Sequence, residues 1–362
     1  VLAKNTGIWQ GGIHISFTPF QRIFFILITL AFMILGASPV YAEKTDVVVL
    51  RNGDRITGEI KELRRGMLKY KTDDMSTIYI EWDKITQITS KHVFEVEMRS
   101  GQRIFGSLIE TSEKYTVVVQ TVMAPVPVDL IQVVGLTPIK ASFFSRLDGS
   151  LDVGFSYTKA NALTTWTGSG EVKYRTKNYS FNLNGSTYYS NQRDADSTSR
   201  NNIGFIGRRF FSRRWYILGL AQAEQNEELN LDYRTITGGG AGRGLVQTNR
   251  LIFTVFGGVV FTREKYTDES DATRSGEAVG GTTFELFKYD TPKVDLSANF
   301  FVIPSLTLLG RVRLNSDAKL RFELFKDFFW AFSYFATYDS QPPTKDTEKS
   351  DYGVTTSLGW SF

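Results

Sequence analysis

The chain has 362 residues, with 42 basic and 38 acidic side chains, 14% aromatic residues, 31 Gly, 9 Pro and no Cys. Zero Cys excludes a disulfide framework, thiolate chemistry and cysteine metal ligands, while a formal net charge of +4 decides little about partners. A slightly negative mean hydropathy excludes a helical membrane protein but not a transmembrane β-barrel, whose strands show lipid only every second residue.

Near the start, Arg22 precedes an apolar run over residues 23–35, followed by Gly36, Pro39 and the small-residue pattern Val40-Tyr41-Ala42. This is the layout of a secretory signal peptide cleaved after Ala42, and the run is too short for a comfortable span. No Cys follows, so a lipid anchor is excluded. Residues before Arg22, including His14, read as an overlong start, and residues 1–42 are assigned to the leader.

Two similar segments come next. Leu50-Arg51-Asn52-Gly53-Asp54-Arg55-Ile56-Thr57-Gly58 is matched by Met98-Arg99-Ser100-Gly101-Gln102-Arg103-Ile104-Phe105-Gly106, and both units end alike, at Asp83-Lys84-Ile85 and Asp129-Leu130-Ile131. Asn52-Gly53 and Ser100-Gly101 are hairpin turns between β-branched runs, and the second Gly of each unit marks a sharp strand bend rather than a ligand site. The units predict two small, strongly bent β-barrels similar to the Sm-like or SH3-like class, over residues 43–90 and 91–140. Their arginines, Arg51, Arg55, Arg64, Arg65, Arg99 and Arg103, form either a solvated basic face or a docking surface for peptidoglycan, a periplasmic protein or anionic headgroups. Export argues against nucleic acid. His92, alone between the repeats, is a linker residue and not a metal ligand.

From residue 141 to 362 the chain alternates in the period of two that strands require. Short turns fall at Arg175-Thr176-Lys177-Asn178, Phe211-Ser212-Arg213-Arg214, Gln247-Thr248-Asn249-Arg250, Asp290-Thr291-Pro292-Lys293 and Lys326-Asp327, and longer loops at 159–161, 191–199, 224–230, 266–274, 304–309 and 341–350. Six hairpins make about twelve antiparallel strands, an even number that returns the C-terminus to the short-turn side. Aromatic residues such as Tyr174, Tyr179, Trp215, Tyr216, Trp330, Tyr352 and Trp360 crowd strand ends, as interfacial girdles do. The fold class is therefore all-β: a twelve-stranded transmembrane barrel preceded by two small barrel repeats.

Charges within a membrane strand must avoid lipid, where each costs about 2 to 4 kcal/mol at mid-bilayer. Glu277, Glu285, Asp295, Arg311, Arg313, Asp317, Lys319, Arg321 and Glu323 are thus predicted to face the lumen. Unpaired, they line a narrow polar pore; paired, they fill a small barrel as a closed ion network, and this second reading is preferred.

Catalysis is not expected. Residues 141–362 contain no His, so the His-based sites of outer-membrane hydrolases and acylases are closed off. The loop acids Glu224, Glu227, Glu228, Asp268, Glu269 and Asp271 lack an ordered calcium-loop spacing. Gly238-Gly239-Gly240 with Gly242 and Gly244 lacks the Lys and Ser/Thr of a phosphate loop and reads as close strand packing. No cofactor, metal or catalytic residue is assigned.

The run over residues 144–362, with Arg-Leu-Asp-Gly-Ser-Leu-Asp-Val-Gly-Phe-Ser at 146–156, Pro304-Ser305-Leu306, Arg311-Val312-Arg313 and Tyr338-Asp339-Ser340-Gln341-Pro342-Pro343, resembles the salt-induced outer-membrane protein family. The resemblance implies an outer-membrane barrel without assigned catalytic residues, and gives no substrate. The expected role is structural or envelope-adaptive, in the outer membrane of a Gram-negative bacterium with the repeats in the periplasm. Its partners would be outer-membrane lipid, lipopolysaccharide and the assembly machinery, with a periplasmic protein or peptidoglycan on the repeats. A narrow ion or solute channel and an adhesin or receptor using the loops at 191–199 and 266–274 are the alternatives.

The last strand reads Asp351-Tyr352-Gly353-Val354-Thr355-Thr356-Ser357-Leu358-Gly359-Trp360-Ser361-Phe362, with bulky and small residues alternating to the end. It is expected to pair with the strand around 147–157 to close the barrel, and Leu358, Trp360 and Phe362 are the expected assembly signal.

Overall fold

The computed structural model describes residues 44–139, 143, 146–193, 197–267, 271–341 and 348–361. The leader, His14, the cleavage point and Phe362 lie outside the described residues, as do Asp268 and Glu269. Every named element is a strand or a 3-10 turn, and both sheets belong to one compact unit, Ala42–Phe362.

The first sheet contains β1 (Asp46–Leu50), β2 (Arg55–Arg64), β3 (Met67–Lys71), β4 (Thr77–Glu81), β5 (Ile85–Met98), β6 (Arg103–Ile109), β7 (Thr116–Gln120), β8 (Pro125–Asp129) and β9 (Val133–Pro138). Their order is β4-β3-β2-β1-β5-β6-β7-β8, and β9 pairs with both β2 and β5 to give a small barrel-like unit. The repeat is plain in the topology. Each unit runs strand, hairpin, three strands and a 3-10 turn, Trp82–Lys84 in the first and Leu130–Gln132 in the second, before a closing strand. Gly58 and Gly106 permit the expected bends, since a Cβ would lie 2.6 Å from the Lys71 carbonyl oxygen and 2.2 Å from that of Gln120.

The expectation of two separate small barrels is corrected here. β5 runs unbroken through residues 90 and 91, because Lys91-His92-Val93 carries no turn-forming residue, so the closing strand of one repeat becomes the opening strand of the next. Closure is also exchanged: Ser90 pairs with Leu108 of the second unit and Leu136 with Leu63 of the first. One core results, with Val48, Ile60, Tyr70 and Ile88 from the first unit packed with Phe94, Val96, Leu108, Val119 and Leu136 from the second. His92 is accordingly a strand residue rather than a linker, at a register shift between Ser90 and Phe94.

The second sheet has twelve antiparallel strands in chain order: β10 (Leu147–Thr158), β11 (Leu163–Arg175), β12 (Tyr179–Asn191), β13 (Thr198–Phe210), β14 (Trp215–Asn226), β15 (Leu231–Gln247), β16 (Leu251–Tyr266), β17 (Thr273–Lys288), β18 (Val294–Pro304), β19 (Val312–Phe325), β20 (Phe328–Asp339) and β21 (Ser350–Trp360). All five short turns fall where the sequence put them. β14 runs to Asn226, so the loop expected to begin at 224 is shorter, and β19 starts one residue beyond Arg311. The glycine run lies in β15 against β16, where a Cβ on Gly240 would sit 2.4 Å from the Gly257 carbonyl oxygen and 2.9 Å from the Gly258 Cα. Close strand packing, not ligand binding, uses these glycines.

The expected pairing of the last strand with the first is not found among the ladders of the described residues. β10 and β21 are the edges of the sheet, and no ladder joins them among the described residues. Alternation dictates which face a side chain takes, but says nothing about which strand completes an edge.

Candidate functional site

The ladder register divides the twelve-stranded sheet into two chemically distinct faces, because directly paired residues share a face. On one, Leu320 pairs with Phe332 and Leu296, Phe332 with Thr356, and Phe322 with Trp330, which pairs in turn with Leu358. The same face continues through Phe253 with Phe284, Leu183 with Phe205, and Phe155 with Trp166. Its charged residues at paired positions are Arg209, Arg243, Arg263, Lys265, Arg274 and Lys288, all basic and all toward strand ends. Three of these cations lie over aromatic rings: Arg209 over Tyr179, Arg243 over Trp215 and Arg263 over Tyr233. Tyr216, counted above among the girdle residues, instead faces the other side against Gly242.

The opposite face is polar and holds the predicted lumen residues together. Asp295 pairs with Arg321 in register, Ser297 with Lys319, Asn299 with Asp317 and Ile303 with Arg313. Arg313 Nη2 donates to Glu277 at 2.5 Å, and Arg311 Nη2 to Asp339 at 2.5 Å. Asn299 Nδ2 donates to Asp317 at 3.0 Å, Arg321 lies 4.1 Å from the Phe329 ring centre, and buried Glu323 accepts the backbone N–H groups of Lys293 and Asp327. A further cluster joins Arg234 to Glu264 at 2.8 Å and Glu224 at 3.4 Å. Most of these charges are thus satisfied by neighbours on their own face.

Two of the predicted lumen acids have another partner. Arg65, from the turn between β2 and β3, reaches Glu285 with Nε at 3.1 Å and Asp295 with Nη2 at 2.6 Å, while its guanidinium lies over Phe287 at 4.9 Å. Tyr289 donates its hydroxyl to the Arg65 carbonyl at 2.9 Å. Beside it, Lys84 donates to Asp290 at 2.9 Å. These contacts bring the nine-stranded unit onto the short turn between β17 and β18.

Three more short turns are engaged in the same way. Arg214 donates from Nε to Glu97 and from Nη2 to the carbonyls of Met98 and Arg99, each at 2.9 Å. Gln247 adds a bond to Glu97 at 3.2 Å, and Asn249 donates to the Val133 carbonyl at 2.9 Å. At the turn after β11, Arg103 donates to the Lys177 carbonyl at 3.1 Å, and the Lys177 ammonium sits 3.9 Å from the Phe105 ring centre. Buried Glu95 faces Arg103 and Arg175 at 3.5 and 3.8 Å. Burial pushes its carboxyl above the usual carboxylate range against the pull of both arginines.

The arginines of the repeats therefore do not form one face. Arg65 and Arg103 reach the second sheet with their side chains and Arg99 with its carbonyl, whereas Arg51 lies over Tyr115 and Arg55 is exposed beside the Asn52-Gly53 turn. Glu81, Asp83 and Asp290 bring three carboxylates together, but the Lys84 ammonium already stands 2.9 Å from Asp290 and 3.8 Å from Glu81, a set that suits an ion-paired contact better than a metal. Its hydrogen bond holds the Asp290 carboxyl below the usual range, while burial raises Glu81. Sequence reasoning missed Glu97, Arg214, Gln247, Asn249 and Tyr289. Their only signal was polar residues at turns, which any exposed turn shares.

No curated protein and no solved structure matches the chain. A family model described as "Protein of unknown function, DUF481" matches residues 151–362, more than half of the sequence and the region of the twelve-stranded sheet. The chain belongs to the DUF481 family of proteins of unknown function.

Proposed function

We propose that this chain is an outer-membrane β-barrel protein of a Gram-negative bacterium, structural or envelope-adaptive in role, of the kind associated with salt or osmotic stress. Its nine-stranded unit lies in the periplasm against the short turns. The observation that carries the reading is the outer face: apolar and aromatic across twelve strands, free of acidic residues at its paired positions, with basic residues toward strand ends where they reach headgroups. Its partners are outer-membrane lipid, lipopolysaccharide and the assembly machinery, with peptidoglycan or a periplasmic protein on the exposed side of the small unit. Nothing in the proposal is catalytic.

Spanning lipid requires β10 and β21 to meet, since an unpaired edge has no hydrogen-bond partner in hydrocarbon. The two strands are of similar length and both carry outward apolar residues, Val153 and Phe155 on one and Val354 and Leu358 on the other. The test is membrane fractionation with heat-modifiability, together with cysteine pairs in this Cys-free chain. Cysteine at Val153, combined in turn with cysteine at Val354, Thr356 or Leu358, should give one disulfide-linked pair in membranes. A soluble periplasmic product, or no cross-link in any pairing, refutes the reading. The ion-paired inner face and the four engaged turns favour a closed lumen over a channel, so planar bilayers should show no conductance steps.

A further inference from the structure

The two repeats of the small unit share a plan, yet their second hairpins end differently. β3 and β4 are joined through Thr72, Asp73, Asp74, Met75 and Ser76, with Asp73 held by Lys44. The equivalent tip between β7 and β8 is Thr121, Val122, Met123 and Ala124, followed by Pro125. Val122 is fully exposed and Met123 is 98% exposed, more than any other exposed large hydrophobic residue described. No charged residue occurs between Lys114 and Asp129. One repeat folds with a polar tip, so folding does not demand an apolar one in the other.

The tip is suited to a medium poor in water. The Thr121 hydroxyl donates to the Ala124 carbonyl at 2.7 Å and accepts from the N–H groups of Met123 at 3.2 Å and Ala124 at 3.1 Å. Pro125 has no N–H to satisfy. The backbone donors of Met123 and Ala124, which would otherwise resist entry into lipid, are thus tied off locally. β8 is also an edge strand, where Pro125 and Pro127 deny hydrogen bonds to an added strand, which disfavours a partner protein docking by strand addition.

Its position fits the same occupant. Gln120, at the base of the tip, lies against Gly106, and the adjacent Phe105 carries the Lys177 ammonium of the turn between β11 and β12. The tip therefore springs from beside the short-turn end of the large sheet. We infer that Val122 and Met123 insert into the lipid surface bordering that end and anchor the small unit to the bilayer beside the barrel. This inference rests on the outer-membrane reading above. The insertion is shallow, of the interfacial kind, and adds apolar contact without a spanning segment.

The experiment uses the full chain folded in phosphatidylethanolamine–phosphatidylglycerol vesicles, with single cysteines carrying a polarity-sensitive fluorophore. Met123→Cys is the test position, Met75→Cys the equivalent tip in the first repeat, and Leu320→Cys a position on the apolar face of β19. Nitroxide lipids labelled near the headgroup should quench position 123, and aqueous iodide should quench it several-fold less than position 75. If position 123 is as open to iodide as position 75 while position 320 is quenched by deep nitroxides, the anchor is wrong and the barrel reading stands. If position 320 is also open to iodide, both are overturned.

Discussion

Arg214→Ala is the sharpest probe of how the two sheets are held together. The Arg214 side chain is 10% exposed and donates three bonds, to Glu97, Met98 and Arg99, all on the far side of the contact. A bond to a charged group contributes about 1.5–3 kcal/mol. A simple sum over three overstates the loss, because Glu97 is 23% exposed, keeps Gln247 and regains water. A net loss of about 3 kcal/mol is expected, or about 150-fold in the opening equilibrium of this contact. Hydrogen exchange of the amides at 98–101 and 212–214 reads that equilibrium directly, and Arg213→Ala, at an exposed neighbouring position, serves as the control. A cycle with Glu97→Ala should return a positive coupling of about 1 kcal/mol or more. If Arg214→Ala changes the protection by less than about 0.5 kcal/mol, the turn contacts are incidental and the docking argument fails.

Gly240→Val should lose folded protein, since the new side chain meets the backbone of β16 and carries at least the about 1–3 kcal/mol of an overpacked site. Gly280→Val, with open space around it, should retain a normal heat-modifiable band, and equal behaviour of the two would count against close strand approach. Burial raises the Asp46 carboxyl despite bonds from the Ile60 N–H and Ser90, so the folded form holds its proton more tightly than the unfolded form. The stability it contributes is present at low pH and declines as pH rises through the raised value. Asp46→Asn should flatten that decline in melts taken upward from the ordinary carboxylate range, and an unchanged slope would refute the assignment.

The large sheet was legible in the sequence because its physics is local. Period-two alternation and turn residues such as Asn178, Asn249 and Pro292 mark strand limits without reference to the rest of the chain, and the parity that put Asp317, Lys319 and Arg321 on one face needs only counting. The edges were not legible, because nothing in Leu147–Thr158 or Ser350–Trp360 encodes which strand lies beyond them. The small unit shows the same limit. Its repeats were visible in paired phrases, but whether they fold apart or share β5 depends on the missing turn at Lys91-His92-Val93 and on the exchanged pairs of Leu63 with Leu136 and Ser90 with Leu108. The docking contacts were hidden for the reason long-range contacts usually are: Arg65 and Asp295 are 230 positions apart, and each alone is an ordinary charged residue.

The small unit grips the turns that follow β11, β13, β15 and β17, and the described contacts leave the turn between β19 and β20 and the edge strands β10 and β21 outside its grasp. Adjacent strands are about 4.8 Å apart, so four successive turns subtend roughly 30 Å of rim, close to the width of a domain of about 100 residues. A body of that size acts as a jig. It sets the spacing of the middle strands from outside the sheet and leaves the placing of the two edge strands to other contacts.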